Sequence, residues 1–512
     1  MNKSIGSLRR FGLGIFVSCI LTVSVFTSSW CSPEYRAITI LHTNDTHGHL
    51  LPFSFPDPRS PKDEYAPMPF KKDIGGIARR ATLAHRIESE MRGNVLFMDA
   101  GDALDGTPFS IEYMGEADFA AMAAAGYDLM TIGNHEFSAS LQEFWRNVNI
   151  ANFPIVSADI VDRKTGKLAL PPYKIFEIDG VKMAVFGLVI STPPTYKAVK
   201  EGFDFLDPFK TAGELVPELR KQADVVIALS HLGFDQDQIL AKKVPDIDVI
   251  VGGHSNNRLL PPVFIEHSED GNPFSIDGTI IVQDFWWAGE LGRLDLRLRR
   301  DGGPFTVMSY KGELIPITSD IPDDPATAKV LAKYYKPISK YYGEVIGEAT
   351  ATLYGRSDVG ENTALNFVCD AIRESTGAQI GIYNVGGVRG DIVEGPIKVW
   401  DIASVLPFRN KMVMVNLTGK RLKQFLIEET PGVSGMTYRI ANGNVVEAVV
   451  DGKPIDDNAV YTVATTDFLA NGRLKDITDS KTLNDDYRLG VISYVKAKKT
   501  ISPIEDGRRI VE

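Results

Sequence analysis

Five short motifs in the first half of the sequence carry side chains suited to binding metal ions. They are "NDTHGH" with Asp45 and His47, "DAGD" with Asp102, "GNHE" with Asn134 and His135, "SHLG" with His231, and "GGHSN" with His254 and Asn256. Imidazole nitrogens mixed with carboxylate and amide oxygens suit zinc, manganese or ferrous iron better than calcium or magnesium alone. Asp45 and His47 can face one ion, and the Asp102 carboxylate can bridge two. Two ions about 3.5–4 Å apart can hold an attacking water against a phosphoryl oxygen.

Each motif directly follows a short apolar run that is typical of a buried strand. The predicted strands of this half are Ala37–Leu41, Val95–Met98, Leu129–Thr131, Ile155–Ser157, Met183–Leu188, Val225–Leu229, Val249–Val251 and Thr279–Val282. Helical stretches at Gly75–Met91 and Ala117–Ala125 alternate with them, which indicates an α/β fold. Because the carboxyl ends of strands in an open α/β sheet assemble binding sites, we expect the five motifs to converge there.

Proline and aspartate mark the changes of organisation along the chain. The segment Pro52–Phe70 lacks periodicity and is predicted to be a surface loop, and "IPITSDIPDDP" at Ile315–Pro325 is predicted to be a domain boundary. We therefore expect a first domain at residues 36–318, a linker and bridging helix at 319–342, and a second α/β domain at 343–512.

The N-terminus has the form of an export signal. Lys3, Arg9 and Arg10 precede an apolar stretch, Phe11–Phe26, and small residues follow it. This pattern predicts a signal peptide at residues 1–31 and a periplasmic, extracellular or cell-surface location. An uncleaved anchor and a lipid-modified Cys31 are the alternatives, and either would be the protein's link to a membrane.

Composition excludes several classes of protein. The chain has 512 residues, a formal net charge of −11 and three cysteines, and 44% of its residues are hydrophobic. That balance is typical of globular domains. The acidic charge argues against binding of a nucleic-acid polymer, and the few cysteines argue against a disulfide scaffold.

The motif series resembles the calcineurin-like metallophosphoesterase superfamily. From about Ile38 to its C-terminal region, the chain resembles the secreted 5′-nucleotidase, UDP-sugar hydrolase and 2′,3′-cyclic phosphodiesterase branch of that superfamily. The resemblance implies an N-terminal β-sandwich flanked by helices (αββα) and a separate C-terminal α/β substrate-binding domain. It also implies two divalent ions (zinc, manganese or similar), with His135 stabilising the transition state or the leaving group. The implied ligands are Asp45, His47, Asp102 and Asn256 for one ion, and Asp102, Asn134, His231 and His254 for the other.

Three motifs in the second half are similar to the substrate-binding domain of this family. They are "NVGGVRGDI" with Asn384 and Arg389, "VLPFRN" with Phe408, and "TTDFLANGR" with Phe468. The resemblance implies that Phe408 and Phe468 sandwich a base, while Asn384 and Arg389 contact the substrate. Taken alone, the two phenylalanines could equally be core residues and the Gly-Gly pair a tight turn.

The sequence departs from the family pattern at three positions. Ser138 stands where an aspartate usually supports the catalytic histidine; a hydroxyl could accept the imidazole N–H, but it carries no charge, and we expect a shifted pH optimum. Asp358 stands where an arginine is common, although Arg356 is near, and Leu474 replaces an aspartate that binds ribose. Loss of a buried ribose partner weakens discrimination for nucleosides. Trp286 and Trp287 could line the cleft between the domains or pack the core.

The sequence therefore predicts a secreted two-metal phosphoester hydrolase that acts on a small nucleotide, releasing phosphate from nucleoside 5′-phosphates. Related ester hydrolases are the first alternative: a 2′,3′-cyclic phosphodiesterase, a UDP-sugar hydrolase or an enzyme for a non-nucleotide ester. A non-catalytic surface binding protein is the second. The seven intact ligand positions argue against it, because an idle site need not keep a complete coordination set.

Overall fold

The computed structural model describes residues 33–191, 196–268, 276–474 and 480–512. The predicted signal peptide, with Cys31, lies outside these residues. Over the described ranges, no helix has both the length and the apolar character needed to span a bilayer.

The first half of the described chain alternates strands with helices, as the sequence predicts. Its strands are β1 (Glu34–Thr43), β2 (Val95–Asp99), β3 (Leu129–Thr131), β4 (Ile155–Val156), β5 (Ile160–Asp162), β6 (Lys167–Leu168), β7 (Tyr173–Ile178), β8 (Val181–Val189), β9 (Phe203–Phe205), β10 (Val225–His231), β11 (Val249–Gly252), β12 (Val263–Glu266), β13 (Gly278–Val282), β14 (Glu290–Arg300) and β15 (Thr306–Pro316). Its helices are α1 (Ile77–Glu90), α2 (Pro108–Tyr113), α3 (Glu116–Ala125), α4 (Leu141–Ala151), α5 (Lys197–Gly202), α6 (Pro208–Arg220) and α7 (Phe234–Lys243). All eight predicted strands and both predicted helices are present.

Two six-stranded sheets built from these strands face each other. Their orders are β15-β14-β1-β2-β3-β4 and β12-β13-β11-β10-β8-β7, and the central strands of each sheet run parallel. Apolar side chains such as Ile38, Leu96, Val185 and Ile227 fill the space between the sheets. Helices α1 and α3 cover the outer face of the first sheet, and α6 and α7 cover that of the second. The predicted αββα sandwich is confirmed.

The second half forms a separate α/β unit after α8 (Pro325–Tyr342). Its strands are β16 (Val345–Ala349), β17 (Ile380–Tyr383), β18 (Gly395–Lys398), β19 (Met412–Thr418), β20 (Gly432–Ser434), β21 (Met436–Ala441), β22 (Asn444–Val450), β23 (Lys453–Pro454), β24 (Val460–Thr466), β25 (Ser480–Asn484), β26 (Thr500–Ile501) and β27 (Arg509–Val511). Its helices are α9 (Thr363–Thr376), α10 (Val399–Val405), α11 (Gly419–Glu429), α12 (Asp467–Gly472) and α13 (Tyr487–Lys498). The central sheet has the order β20-β17-β24-β19-β25. No strand of the described second half pairs with a strand of the sandwich.

The irregular segment Pro52–Phe70 is the predicted surface loop, but part of it is buried. It lacks regular secondary structure except for isolated bridging, but Tyr65 and Phe55 are buried. Its charged residues reach the second half, where Arg59 pairs with Glu505 at 2.7 Å and Asp63 accepts a hydrogen bond from Ser357 at 2.8 Å. Proline and aspartate exclude regular structure without requiring exposure, so composition alone could not indicate this contact.

Candidate active site

The five motifs of the first half meet at the carboxyl ends of β1, β2, β3, β10 and β11. Asp102 lies between two of the other motifs: His231 Nε2 is 3.1 Å from Asp102 Oδ2, and the backbone N–H of His135 donates to Asp102 Oδ1 at 2.7 Å. His254 contacts two more, since its Nδ1 is 2.9 Å from Asn134 Oδ1 and its backbone N–H donates to Asp45 Oδ2 at 2.8 Å. The predicted convergence is confirmed.

The backbone at this centre is strained. Asp45, His47, Asp102, His254 and Asn256 all have positive φ values, between 45° and 71°. Non-glycine residues rarely adopt this left-handed conformation, and it persists only where the surrounding structure imposes it. The tight turns aim these side chains back over the strand ends.

Three predicted ligand atoms, Asp45 Oδ1, His47 Nε2 and Asn256 Oδ1, are buried and have no hydrogen-bond partner. A fourth, His231 Nε2, faces only the Asp102 carboxylate, at 3.1 Å. A buried polar atom without a partner is costly, so a cluster of them implies a group that is not part of the chain. Potential ligand atoms of His47, Asp102 and His135 lie within 4.8 Å of one another, and so do those of Asp102, His231 and His254. Divalent cations fit this donor set, and Asp102 belongs to both groups.

The electrostatics of the site favour a bound positive charge. Burial, reinforced by the nearby Asp102 carboxylate, raises the pKa of Asp45 to about 7. Burial alone would lower the pKa of His231, but the carboxylates of Asp102 and Asp45 raise it to about 10. Below about pH 7 both groups therefore hold a proton in the metal-free protein, and a divalent cation would displace these protons.

Backbone carbonyls orient two of the imidazoles. His47 Nδ1 donates to the Leu104 carbonyl at 2.8 Å, and His231 Nδ1 donates to the Ala100 carbonyl at 2.7 Å. In the neutral ring each bond keeps the proton on Nδ1, so that Nε2, which faces the centre, is the nitrogen available to a metal ion. Such bonds from the second ring nitrogen are the usual way in which proteins fix the tautomer of a ligating histidine.

Glu136 is a buried residue of this site whose role the motif "GNHE" did not reveal. Its carboxylate accepts backbone hydrogen bonds from Gly133 at 2.7 Å, Asp102 at 3.0 Å, Ala103 at 2.7 Å and Leu104 at 3.3 Å. Burial, with Asp102 nearby, raises its pKa to about 7. Glu136 thereby joins the loop after β3 to the loop that carries Asp102.

His135 has a different partner from the one that the sequence suggested. The Ser138 hydroxyl donates to the His135 backbone carbonyl at 2.8 Å, so it does not face the imidazole. Instead, His135 Nδ1 lies 3.0 Å from Asp105 Oδ2. Burial opposes the charged form of the ring, but Asp102 and Asp105 raise the pKa of His135. The Ser138 hydroxyl therefore does not accept the imidazole N–H, and a carboxylate supports this histidine instead.

Two predicted substrate residues of the second half lie over the centre. The Phe408 ring is 6.2 Å from the His135 ring at an angle of 23°, and the Arg389 guanidinium is 6.0 Å from the Phe408 ring. The charge of Arg389 also acts on the imidazoles of His47 and His135. The second half therefore closes one side of the site.

The other predicted substrate residues also belong to the second half, but they do not contact the metal centre. Asn384 precedes the short 3₁₀ turn Val385–Gly387, and Phe468 on α12 is 40% exposed. Leu474 is buried in the apolar core of the second half, so it does not replace a ribose-binding side chain in the cleft. Asp358 is exposed. Arg356 instead turns towards the first half, pairing with Glu64 at 3.4 Å and stacking 4.1 Å from the Trp286 ring.

Both predictions for Trp286 and Trp287, packing in the core and lining the cleft between the domains, hold. Trp286 is buried among Phe55, Tyr65 and Phe285, yet it receives Arg356 from the second half. Trp287 stacks on His49 at 4.0 Å. His49 is thus a buried support for the loop that carries Asp45 and His47, and not a solvated residue.

Tyr196 is a further neighbour that sequence reasoning missed. Its hydroxyl accepts a hydrogen bond from the Asn134 amide at 3.2 Å, and its ring lies 6.0 Å from that of His135. It follows no strand and belongs to none of the motifs, so no pattern in the sequence distinguished it from other tyrosines.

Comparison with known proteins agrees with this geometry. Residues 38–257 match the calcineurin-like phosphoesterase family, and residues 345–475 match the family described as 5′-nucleotidase, C-terminal domain. The 5′-nucleotidase of Vibrio parahaemolyticus is 30% identical in an alignment of 528 positions that covers 92% of this chain and 90% of the relative. Protein UshA of Yersinia enterocolitica is 30% identical and covers 90% of this chain and 91% of the relative.

A solved structure extends the likeness to the whole fold. The 5′-nucleotidase precursor from Thermus thermophilus superposes with a TM-score of 0.80 at 29% identity, covering 93% of this chain and 99% of the other. The calcineurin-like family implies divalent metal ions, in agreement with the clustered histidine and aspartate side chains. The chain belongs to the 5′-nucleotidase family of calcineurin-like phosphoesterases and is a hydrolase of that family.

Proposed function

We propose that the protein is a two-metal 5′-nucleotidase that releases phosphate from nucleoside 5′-phosphates. The observation that carries the proposal is the set of buried, unpartnered ligand atoms around Asp102. Asp45, His47, Asp102 and Asn256 would hold one ion, and Asp102, Asn134, His231 and His254 would hold the other. When bound, the two ions polarise the phosphoryl oxygens and lower the pKa of the attacking water.

The other side chains around the ions have separate roles in the proposed reaction. His135 stands at the edge of the metal centre, where it can stabilise the charge that develops on the phosphoryl group or on the leaving oxygen. Arg389 carries a planar guanidinium that can donate two parallel hydrogen bonds to phosphate or ribose oxygens. We assign Phe408 and Phe468 to the base and Asn384 to the substrate, so that a nucleotide spans the two halves of the chain.

Replacement of Phe408 by alanine separates recognition of the base from hydrolysis of the ester. Stacking on an aromatic ring is worth about 1–3 kcal/mol per base, so kcat/KM for AMP should fall about 5- to 150-fold. Activity on p-nitrophenyl phosphate, which has no base, should stay within about twofold of wild type. Phe70→Ala removes an exposed ring from the first half and is the matched control. Equal losses on both substrates would contradict the proposed base site.

A related ester is the second candidate substrate. Leu474 is buried and Asp358 is exposed, so at these two positions the chain does not offer the substrate the aspartate and the arginine of the family pattern, which favours a broader substrate range. A panel of AMP, ADP, ATP, UDP-glucose, 2′,3′-cyclic AMP and p-nitrophenyl phosphate distinguishes these substrates. Preference for UDP-glucose or the cyclic nucleotide would redirect the proposal within the family.

We also propose export of the protein through its N-terminal 31 residues. The expected mature N-terminus is Ser32, identified by mass spectrometry of the protein from the native cell envelope or medium. Retention of Met1 would contradict cleavage, and a diacylglyceryl group on Cys31 would identify the lipid-anchored form.

The proposed domain limits are 36–318 and 343–512, with the bridging segment at 319–342 between them. The end of β15 at Pro316, the helix Pro325–Tyr342 and the start of β16 at Val345 support these limits.

A further inference from the structure

The catalytic histidine is held by a carboxylate from an unexpected part of the chain. Ser138 occupies the position where the family pattern has the supporting aspartate, and its hydroxyl is directed to a backbone carbonyl. Asp105 lies on the loop after β2, thirty residues before His135, and its Oδ2 is 3.0 Å from His135 Nδ1. Both side chains are largely buried, with exposed fractions of 13% and 8%. Solvent therefore screens this contact only weakly.

This contact fixes which nitrogen of His135 faces the centre. An ionised carboxylate can only accept a hydrogen bond, so Nδ1 is the donor. The other nitrogen, Nε2, lies on the side of the metal centre, 4.0 Å from Asp102 Oδ2. Among the described residues, the only side-chain hydrogen bond of the His135 ring is the one to Asp105.

The loop that carries Asp105 is built to hold this position. Glu136 accepts hydrogen bonds from three backbone N–H groups of this loop. The Leu104 carbonyl of the same loop orients the His47 ring. A side chain at Gly106 would collide with the His47 backbone, so the loop lies directly against the first motif. Asp105 itself has a φ of 65°, a conformation that aspartate and asparagine tolerate better than most residues.

We propose that Asp105 is the positioning residue for His135, taking the place that the family pattern gives to an aspartate at position 138. It holds the imidazole with Nε2 towards the reacting phosphate. This inference rests on the proposed function, because it assumes that His135 acts in phosphoester hydrolysis.

The test compares four variants on AMP. Asp105→Gly removes the carboxylate without straining the left-handed backbone, and kcat should fall about 100-fold while KM changes less than threefold, since misplacing a catalytic group costs about that much. Asp105→Asn keeps a hydrogen-bond acceptor but no charge and should lose less. Ser138→Ala is the control and should stay within twofold of wild type. Asp105→Gly combined with Ser138→Asp should recover at least tenfold of the lost kcat.

Two further readouts separate positioning from damage to the metal centre. The metal content of Asp105→Gly should equal that of wild type, and its crystal structure should show the His135 ring rotated or disordered. A kcat within threefold of wild type, a parallel loss of bound metal, absence of rescue by Ser138→Asp, or an unmoved ring would overturn the proposal. If the wild-type protein hydrolyses no phosphoester, the proposed function fails, and the ring orientation alone decides whether Asp105 positions His135.

Discussion

Replacing Asp102 with asparagine is expected to lower kcat/KM for AMP at least 1000-fold and to reduce the metal bound per chain. Asp102 is common to both groups of potential ligand atoms, and its two oxygens contact His231 and the backbone of His135. The substitution keeps the size of the side chain but removes the negative charge that can bridge two cations. A loss of about 4 kcal/mol of transition-state stabilisation corresponds to a 1000-fold loss of rate, and metal ions contribute on that scale.

The measurement pairs steady-state kinetics with elemental analysis of the purified variant. Asp118→Asn is the matched control, because Asp118 is also a buried carboxyl but neither of its oxygens has a hydrogen-bond partner. Burial raises its pKa to about 8, so the group is mainly uncharged at pH 7 and asparagine resembles it closely. Asp102→Asn with full metal content and near-normal kcat/KM would exclude a bridging role.

The parts of this site that could be predicted from the sequence are those that depend on which residues directly follow a strand. Asp45, His231 and His254 each lie at or just beyond the end of an apolar strand, and strand ends in an α/β sheet meet whatever the length of the intervening chain. The hydrophobic pattern predicted the α/β class, because several central strands, such as β10 and β11, are continuous buried runs rich in β-branched residues.

The parts that could not be predicted depend on pairings between loops. The bond between Asp105 and His135 joins two segments with no shared pattern, and neither residue type nor spacing distinguishes Asp105 from other acidic residues of the chain. Burial of Tyr65 within an irregular segment, and the stacking of Arg356 on Trp286 across the two halves, likewise follow from tertiary packing. The family pattern gives no signal for the first of these contacts, since it arises where Ser138 replaces the usual aspartate.

Glu136 is the residue for which structure and motif lead to the most different expectations. In the sequence, it is the last residue of "GNHE", beside His135. In the fold, it is a buried acceptor for four backbone N–H groups of two loops. Because one of those loops carries Asp102, we expect changes at Glu136 to act on stability and on the metal centre together.

Glu136→Gln is expected to lower the unfolding free energy of the first half by about 2–6 kcal/mol and kcat/KM by about 100-fold. Each carboxylate oxygen accepts two N–H groups, so the glutamine amide must point its own NH₂ at one pair of donors. Leaving a buried donor unsatisfied costs about 1–3 kcal/mol, and a shift of about 1 Å in a catalytic loop can cost 100-fold in rate. Urea denaturation of the metal-free protein and AMP kinetics of the metal-loaded protein measure the two effects.

The same isosteric exchange at Asp118 should change neither quantity, although both carboxyls are buried and both have a raised pKa. The difference lies in what surrounds the oxygens: Glu136 accepts from four backbone N–H groups that glutamine cannot all satisfy, whereas the Asp118 oxygens have no hydrogen-bond partner from another residue. If Glu136→Gln were as stable and active as Asp118→Asn, the four short contacts would contribute nothing to the loop. Glu136 would then be a buried carboxyl with a raised pKa and no role in the loop, and another feature would have to hold Asp102 in place.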